Sequence, residues 1–150
     1  MIYTSRYANK ELSKEEYYAV AISLGLPKFP LKYKIRERSY EIAPKGNMLK
    51  MEKGPYRDAY MRKLRDSGRD SIVNLVRRME GTAAEEDKSL VLLCFEDVSK
   101  PEQWCHRTMF AEWWEEMTGE KIEEMEKPVI IPPKPTMPVD DFDYEQFSMF

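Results

Sequence analysis

Ser89-Leu90-Val91-Leu92-Leu93-Cys94-Phe95-Glu96 is the stretch that decides the fold. A continuous apolar run of this length, bounded by polar residues, is what a strand covered on both faces looks like. Such strands belong to parallel sheets with helices on both sides, so the chain reads as an α/β domain with a small, mostly parallel sheet of about four strands, flanked by helices. The run is far short of the roughly 20 apolar residues that span a bilayer.

Working outward from it, Ile2 to Ser5 reads as a first strand. Ser13 and Glu16 have the spacing of a capping box, and Tyr17, Val20, Ala21 and Leu24 follow at helical spacing up to Gly25, which predicts a helix. The basic, Pro-rich stretch 26–54 predicts a strand-containing loop, with a strand end near Tyr40–Pro44. Helices are expected over Tyr56–Asp66 and Asp70–Met79, separated by Gly68, with a polar connector from Gly81 to Lys88. After the central strand, Ser99 and Glu102 form a second capping box with Pro101 inside it, predicting a helix to about Met117 and a stop at Thr118-Gly119. Residues 1–126 form the expected domain; Lys127 onward, with its prolines and the acidic, aromatic Asp140–Phe150, reads as an extended tail.

Ligands of open α/β sheets bind beyond the carboxyl ends of the strands, where helix N-termini also favour anions. That edge collects Cys94 and Glu96 from the strand and Trp104, Cys105, His106 and Arg107 from the following helix. His106 is the single histidine of the chain. In the catalytic reading Glu96 is a general base or cation stabiliser, His106 an acid–base group, and Cys94 or Cys105 a thiolate nucleophile. A thiol at a helix N-terminus ionises more readily, which favours Cys105. In the binding reading Arg107 and His106 meet a negative charge, Thr4, Ser5 and Arg6 meet polar groups, and Trp104 and Tyr7 stack on a ring.

Each of these residues also has a structural reading. Cys94 suits a small buried site, and His106 shares a helical stripe with Phe110, Trp113 and Met117. Arg107 can pair with Glu96, and Thr4-Ser5-Arg6 can be a polar loop. Cys94, Cys105, His106 and Glu96 supply four possible zinc ligands, but no metal site is assigned: paired C-x-x-C spacing is absent, and adjacent Cys105 and His106 would point in different directions on a helix. No cofactor is assigned either.

Leu92-Leu93-Cys94-Phe95-Glu96 followed by Cys105-His106-Arg107 resembles the signature of the domain of unknown function 488 family. Ile2-Tyr3-Thr4-Ser5, Ile42-Ala43-Pro44 and Tyr56-Arg57-Asp58-Ala59-Tyr60 are similar to its other blocks. The resemblance covers roughly residues 1–125. It implies a small α/β domain of bacterial or phage type with its site around these motifs, and a phage member that sequesters a host nucleotide signal would be a natural use of such a pocket. The interval from Glu96 to Cys105 is longer here than in typical members.

The chain has 150 residues, 42% of them hydrophobic, and a net charge of −3. This mildly acidic balance argues against a dedicated nucleic-acid binder, although Lys28, Lys32, Lys34, Arg36 and Arg38 interleave with Phe29, Tyr33 and Tyr40. There is no signal pattern, and two cysteines in 150 residues fit a reducing, cytoplasmic setting. The leading expectation is a binding module for a small nucleotide-like or otherwise anionic ligand. The alternatives are an enzyme acting on a nucleotide glycosidic or phosphoester bond, and a protein-interaction factor whose tail docks a partner or joins a homo-oligomer.

Overall fold

A computed structural model describes residues 1–100 and 102–126. The tail from Lys127, with its expected docking and oligomerisation role, lies outside the described residues. The elements run β1 (Ile2–Arg6), β2 (Tyr17–Ala21), β3 (Ile35–Arg38), α1 (Lys53–Ser67), α2 (Arg69–Glu85), β4 (Ser89–Cys94), α3 (His106–Thr118) and β5 (Glu123–Glu124). The five strands form one sheet in the order β3-β2-β4-β1-β5, and every pairing is parallel. The expected fold class holds, with one strand more than the expected four. No helix among the described residues is long and apolar enough to cross a membrane.

β4 is central, in register with β1 (Cys94 beside Arg6) and with β2 (Leu93 beside Ala21). Side chains alternate across the sheet. Leu90, Leu92, Val20 and Ile22 join Tyr60, Val76, Met79 and Phe110 of the helices in one core. Val91, Leu93, Ala19 and Ala21 join Tyr7 and Leu12 on the other face, where loop residues Leu31 and Tyr33 complete the cover. Helices therefore cover one face and loops the other, in place of the expected helices on both sides. Parallel crossovers share one hand, so connections running in opposite directions across the sheet lie on opposite faces. β1→β2 and β2→β3 run toward one edge over the loop face; β3→β4 and β4→β5 run back over the helical face. The loop leaving β4 thus departs to the opposite face from those leaving both neighbours. A crevice opens there, at the topological switch point.

Four local expectations are corrected. Residues 17–21 form strand β2, not a helix: Tyr-Tyr-Ala-Val-Ala carries two tyrosines and a valine, and four of the five residues are buried between the two cores. The Ser13 hydroxyl donates to the Lys10 carbonyl and closes a short 3₁₀ turn at Lys10–Ser13. Helix α2 continues through Gly81 to Glu85, because Ala83 still lands in the core. Helix α3 begins at His106, seven residues after the expected cap; Ser99 instead donates its backbone N–H to Asp97 Oδ1 at 3.2 Å within a turn. The third strand lies at Ile35–Arg38, ahead of the expected strand end near Tyr40–Pro44.

Candidate functional site

The late start of α3 shapes the site. Cys105 is its N-cap, with extended backbone (φ −150°, ψ 150°), and His106 is its first helical residue. A side chain on an extended residue is free of the 100° helical rotation. Cys105 and His106 therefore turn toward the same point, contrary to the expectation that they diverge. Cys94 Sγ lies 3.7 Å from His106 Nδ1, and Cys105 Sγ lies 3.7 Å from the same nitrogen. All three atoms lie within 4.8 Å of one another. Glu96 Oε1 is 3.6 Å from Cys94 Sγ.

The imidazole is oriented from behind. His106 Nε2 is 2.6 Å from the carbonyl oxygen of Ile22, which only accepts, so Nε2 carries the proton. In the neutral ring Nδ1 is then a lone pair facing two sulfurs. The edge of the ring packs against Tyr60, with centroids 5.5 Å apart. The two thiols titrate as a pair. The hydrogen bond to Cys105 and burial push Cys94 well above its ordinary value, so it keeps its proton. Burial opposes ionisation of Cys105, but the Cys94 S–H and the Arg107 charge are among the groups that outweigh it, so Cys105 ionises before Cys94. Burial, followed by the neighbouring Cys105 charge, holds the Glu96 carboxyl above the usual carboxylate range.

These groups line a cavity of about 470 Å³ at the carboxyl edge of the sheet. Ser23, Tyr56, Phe95, Glu102, Gln103 and Trp104 are among its other walls. Tyr56 and Trp104 meet edge to face, with centroids 4.8 Å apart. Among its described lining residues there is no Lys or Arg.

The remaining expected site residues lie elsewhere. Arg107 is fully buried and turned toward β5: its Nε and Nη2 donate to the two carboxylate oxygens of Glu124 at 2.9 and 3.3 Å. Thr4 Oγ1 donates to the same carboxylate at 2.9 Å. Burial lowers the Arg107 pKa, but the Glu124 carboxylate and the nearby Cys105 together raise it, so the guanidinium is held above its ordinary value. Arg107 Nη1 has no hydrogen-bond partner among the described residues. Ser5 accepts a hydrogen bond from Asn9 at 2.9 Å, and Arg6 pairs with Glu126. Tyr7 lies on the loop face with its hydroxyl 2.5 Å from Ser23 Oγ; Ser23 in turn donates to Gly25 O, so Tyr7 is the donor. Burial pushes Tyr7 up to about 12. Arg107, Thr4, Ser5, Arg6 and Tyr7 thus stay outside the cavity, and the pairing of Arg107 with Glu96 is replaced by pairing with Glu124.

Sequence reasoning missed Ser23, Gln103, the Ile22 carbonyl and Glu124. Reading residues 17–21 as a strand would have put Ile22 and Ser23 on the same carboxyl edge as Cys94, so the paired tyrosines with Val20 were the available signal. No family model, curated protein or solved structure matches the chain. The likeness to the domain of unknown function 488 family rests on the short motifs that carry it.

Proposed function

We propose that the cavity beyond β4 binds a small, uncharged ligand with a planar ring, of nucleoside-like size, and holds it against the Cys94–Glu96–Cys105–His106 cluster. One observation carries this reading: a cavity of about 470 Å³ joins aromatic walls to that polar cluster and has no cationic side chain among its described lining residues. Small-molecule sites have this size, with mostly apolar walls and a few convergent polar groups. Tyr56, Phe95 and Trp104 supply ring contacts; Gln103, Ser23 and Glu96 supply hydrogen bonds to a polar ring edge. A phosphate finds two carboxylates in this lining, Glu96 and Glu102, and no countercharge. This reading replaces the nucleotide-like or otherwise anionic ligand expected from the sequence with an uncharged one.

Trp104 gives a direct readout. Titration of the chain with cytidine and adenosine, followed by tryptophan fluorescence, is expected to show saturable quenching that Trp104→Ala abolishes. The 5′-monophosphates are expected to bind at least tenfold more weakly. Tighter binding of the phosphates, or competition by inorganic phosphate, would contradict the reading. Catalysis is the second reading, favoured by the convergence of two thiols and an imidazole on the cavity wall. Turnover of a nucleoside that stops on Glu96→Gln, with binding retained, is its expected signature.

A further inference from the structure

The geometry points to a resident divalent cation of the zinc class, bound by Cys94 Sγ, Cys105 Sγ and His106 Nδ1, with its fourth position open to the cavity beside Glu96. The argument begins with lengths. Zinc binds thiolate sulfur at about 2.3 Å and imidazole nitrogen at about 2.0–2.1 Å in a tetrahedron, which sets each sulfur–nitrogen edge near 3.6 Å. Both sulfur–nitrogen edges here are 3.7 Å. A hydrogen-bonded thiol can reach a similar distance, but two sulfurs and an imidazole nitrogen, all within 4.8 Å of one another, form a ligand arrangement.

The nitrogen is presented correctly. Metal-binding histidines donate their second N–H to a carbonyl or carboxylate, which fixes the ring and its tautomer. His106 Nε2 does so to the Ile22 carbonyl at 2.6 Å, leaving Nδ1 for the ion. The donor set is soft to borderline, two sulfurs and one imidazole nitrogen, which favours Zn²⁺ over Mg²⁺ or Ca²⁺. The charges also balance. One Zn²⁺ meets two thiolates, any proton still on a thiol leaves to solvent, and the site is neutral. Neutrality suits a place where Cys94, Cys105 and His106 are each less than 5% exposed.

Three protein ligands with an open fourth position distinguish catalytic zinc from the closed four-ligand structural kind. The open side here faces the cavity, and Glu96 stands next to Cys94 without belonging to the tight three-atom group. A water on the metal would lie within reach of that carboxylate. Two cysteines and a histidine around zinc, with a non-ligating glutamate, is also the donor set of the zinc deaminases that act on nucleobases. That likeness is of chemistry, since no solved structure matches this fold. The ion deepens the proposed ligand site and depends on that reading only for what occupies the open face.

The test uses the full chain, reduced and stripped of metal, titrated with Co²⁺ and then Zn²⁺. One equivalent of Co²⁺ is expected to give sulfur-to-cobalt charge-transfer bands and the intense visible bands of tetrahedral cobalt, and Zn²⁺ is expected to displace them. Cys94→Ser, Cys105→Ser and His106→Gln, each checked for native circular dichroism, are expected to bind Zn²⁺ about 100-fold more weakly or worse. Pale octahedral cobalt spectra from the intact reduced chain, or unchanged Zn²⁺ affinity in a folded Cys94→Ser/Cys105→Ser variant, would overturn the site. The two readings fail separately. Nucleoside quenching without thiolate-bound cobalt removes the ion and keeps the cavity. Cobalt bands with no nucleoside binding remove the ligand and keep the ion.

Discussion

A guanidinium taken out of water needs a partner on the spot, and Arg107 has Glu124. The pair is bidentate, and Thr4 satisfies the same carboxylate, tying α3 to β1 and β5. Removing one member strands a buried charge. Arg107→Met is therefore expected to cost about 3–5 kcal/mol in urea denaturation, and Arg107→Met with Glu124→Leu is expected to recover most of it. An Arg107→Met chain of full stability that had lost nucleoside binding would instead return the guanidinium to the ligand. Cys94, Glu96, Cys105 and His106 were legible in the sequence because a strand end and the next helix start always share an edge of a parallel sheet. The direction of Arg107 was not legible. Adjacent helical residues point about 100° apart, so which of His106 and Arg107 faces the crevice depends on where the helix begins. That start was obscured by Ser99 and Glu102, whose capping-box spacing is met by a turn.

At the scale of elements, β2 is the instructive one. Tyr17, Val20, Ala21 and Leu24 sit at helical spacing, and Ser13 and Glu16 imitate a helix start. A strand buried on both faces has no polar alternation to contradict that reading, so local pattern and tertiary pairing disagree and pairing with β4 wins. β4 itself was legible because eight residues bounded by polar turns are too few for a buried helix. The strand assignment predicts that amides of Tyr18 to Ile22 exchange with deuterium as slowly as those of Leu90 to Cys94; exchange as fast as in the 26–34 loop would refute it. A second expectation concerns Glu37 of β3. The Arg78 fork at 2.7 Å and the Tyr18 hydroxyl at 2.6 Å outweigh burial and hold its carboxyl below the usual range. Its ionised form, and the stability that follows, is in place at neutral pH and disappears as acid carries the pH down through that lowered value. Glu37→Gln should then cost under about 1 kcal/mol near pH 7 and progressively less toward pH 3, because the pair is partly exposed. Equal costs at both pH values would show that charge plays no part.

Over the whole molecule, one topological fact organises the rest. Connections crossing opposite faces separate around β4 and leave a crevice at its carboxyl end, and the chain spends two cysteines, a glutamate and its single histidine there. The loop-covered face, with Tyr7 hydrogen-bonded to Ser23, braces the floor of that crevice from below. The α/β class followed from one apolar run, whereas the division of helices and loops between the faces follows from strand order, which local sequence does not encode. Because the chain has one histidine, its ring nitrogens can be observed without assignment in a ¹⁵N-histidine-labelled sample. Long-range ¹H–¹⁵N correlation at neutral pH is expected to find His106 as the Nε2–H tautomer, with an unprotonated Nδ1 whose shift changes when Zn²⁺ is added. A ring protonated at Nδ1, or one that averages both tautomers as in free solution and ignores the metal, would contradict the convergence of Cys94, Cys105 and His106 on which the account stands.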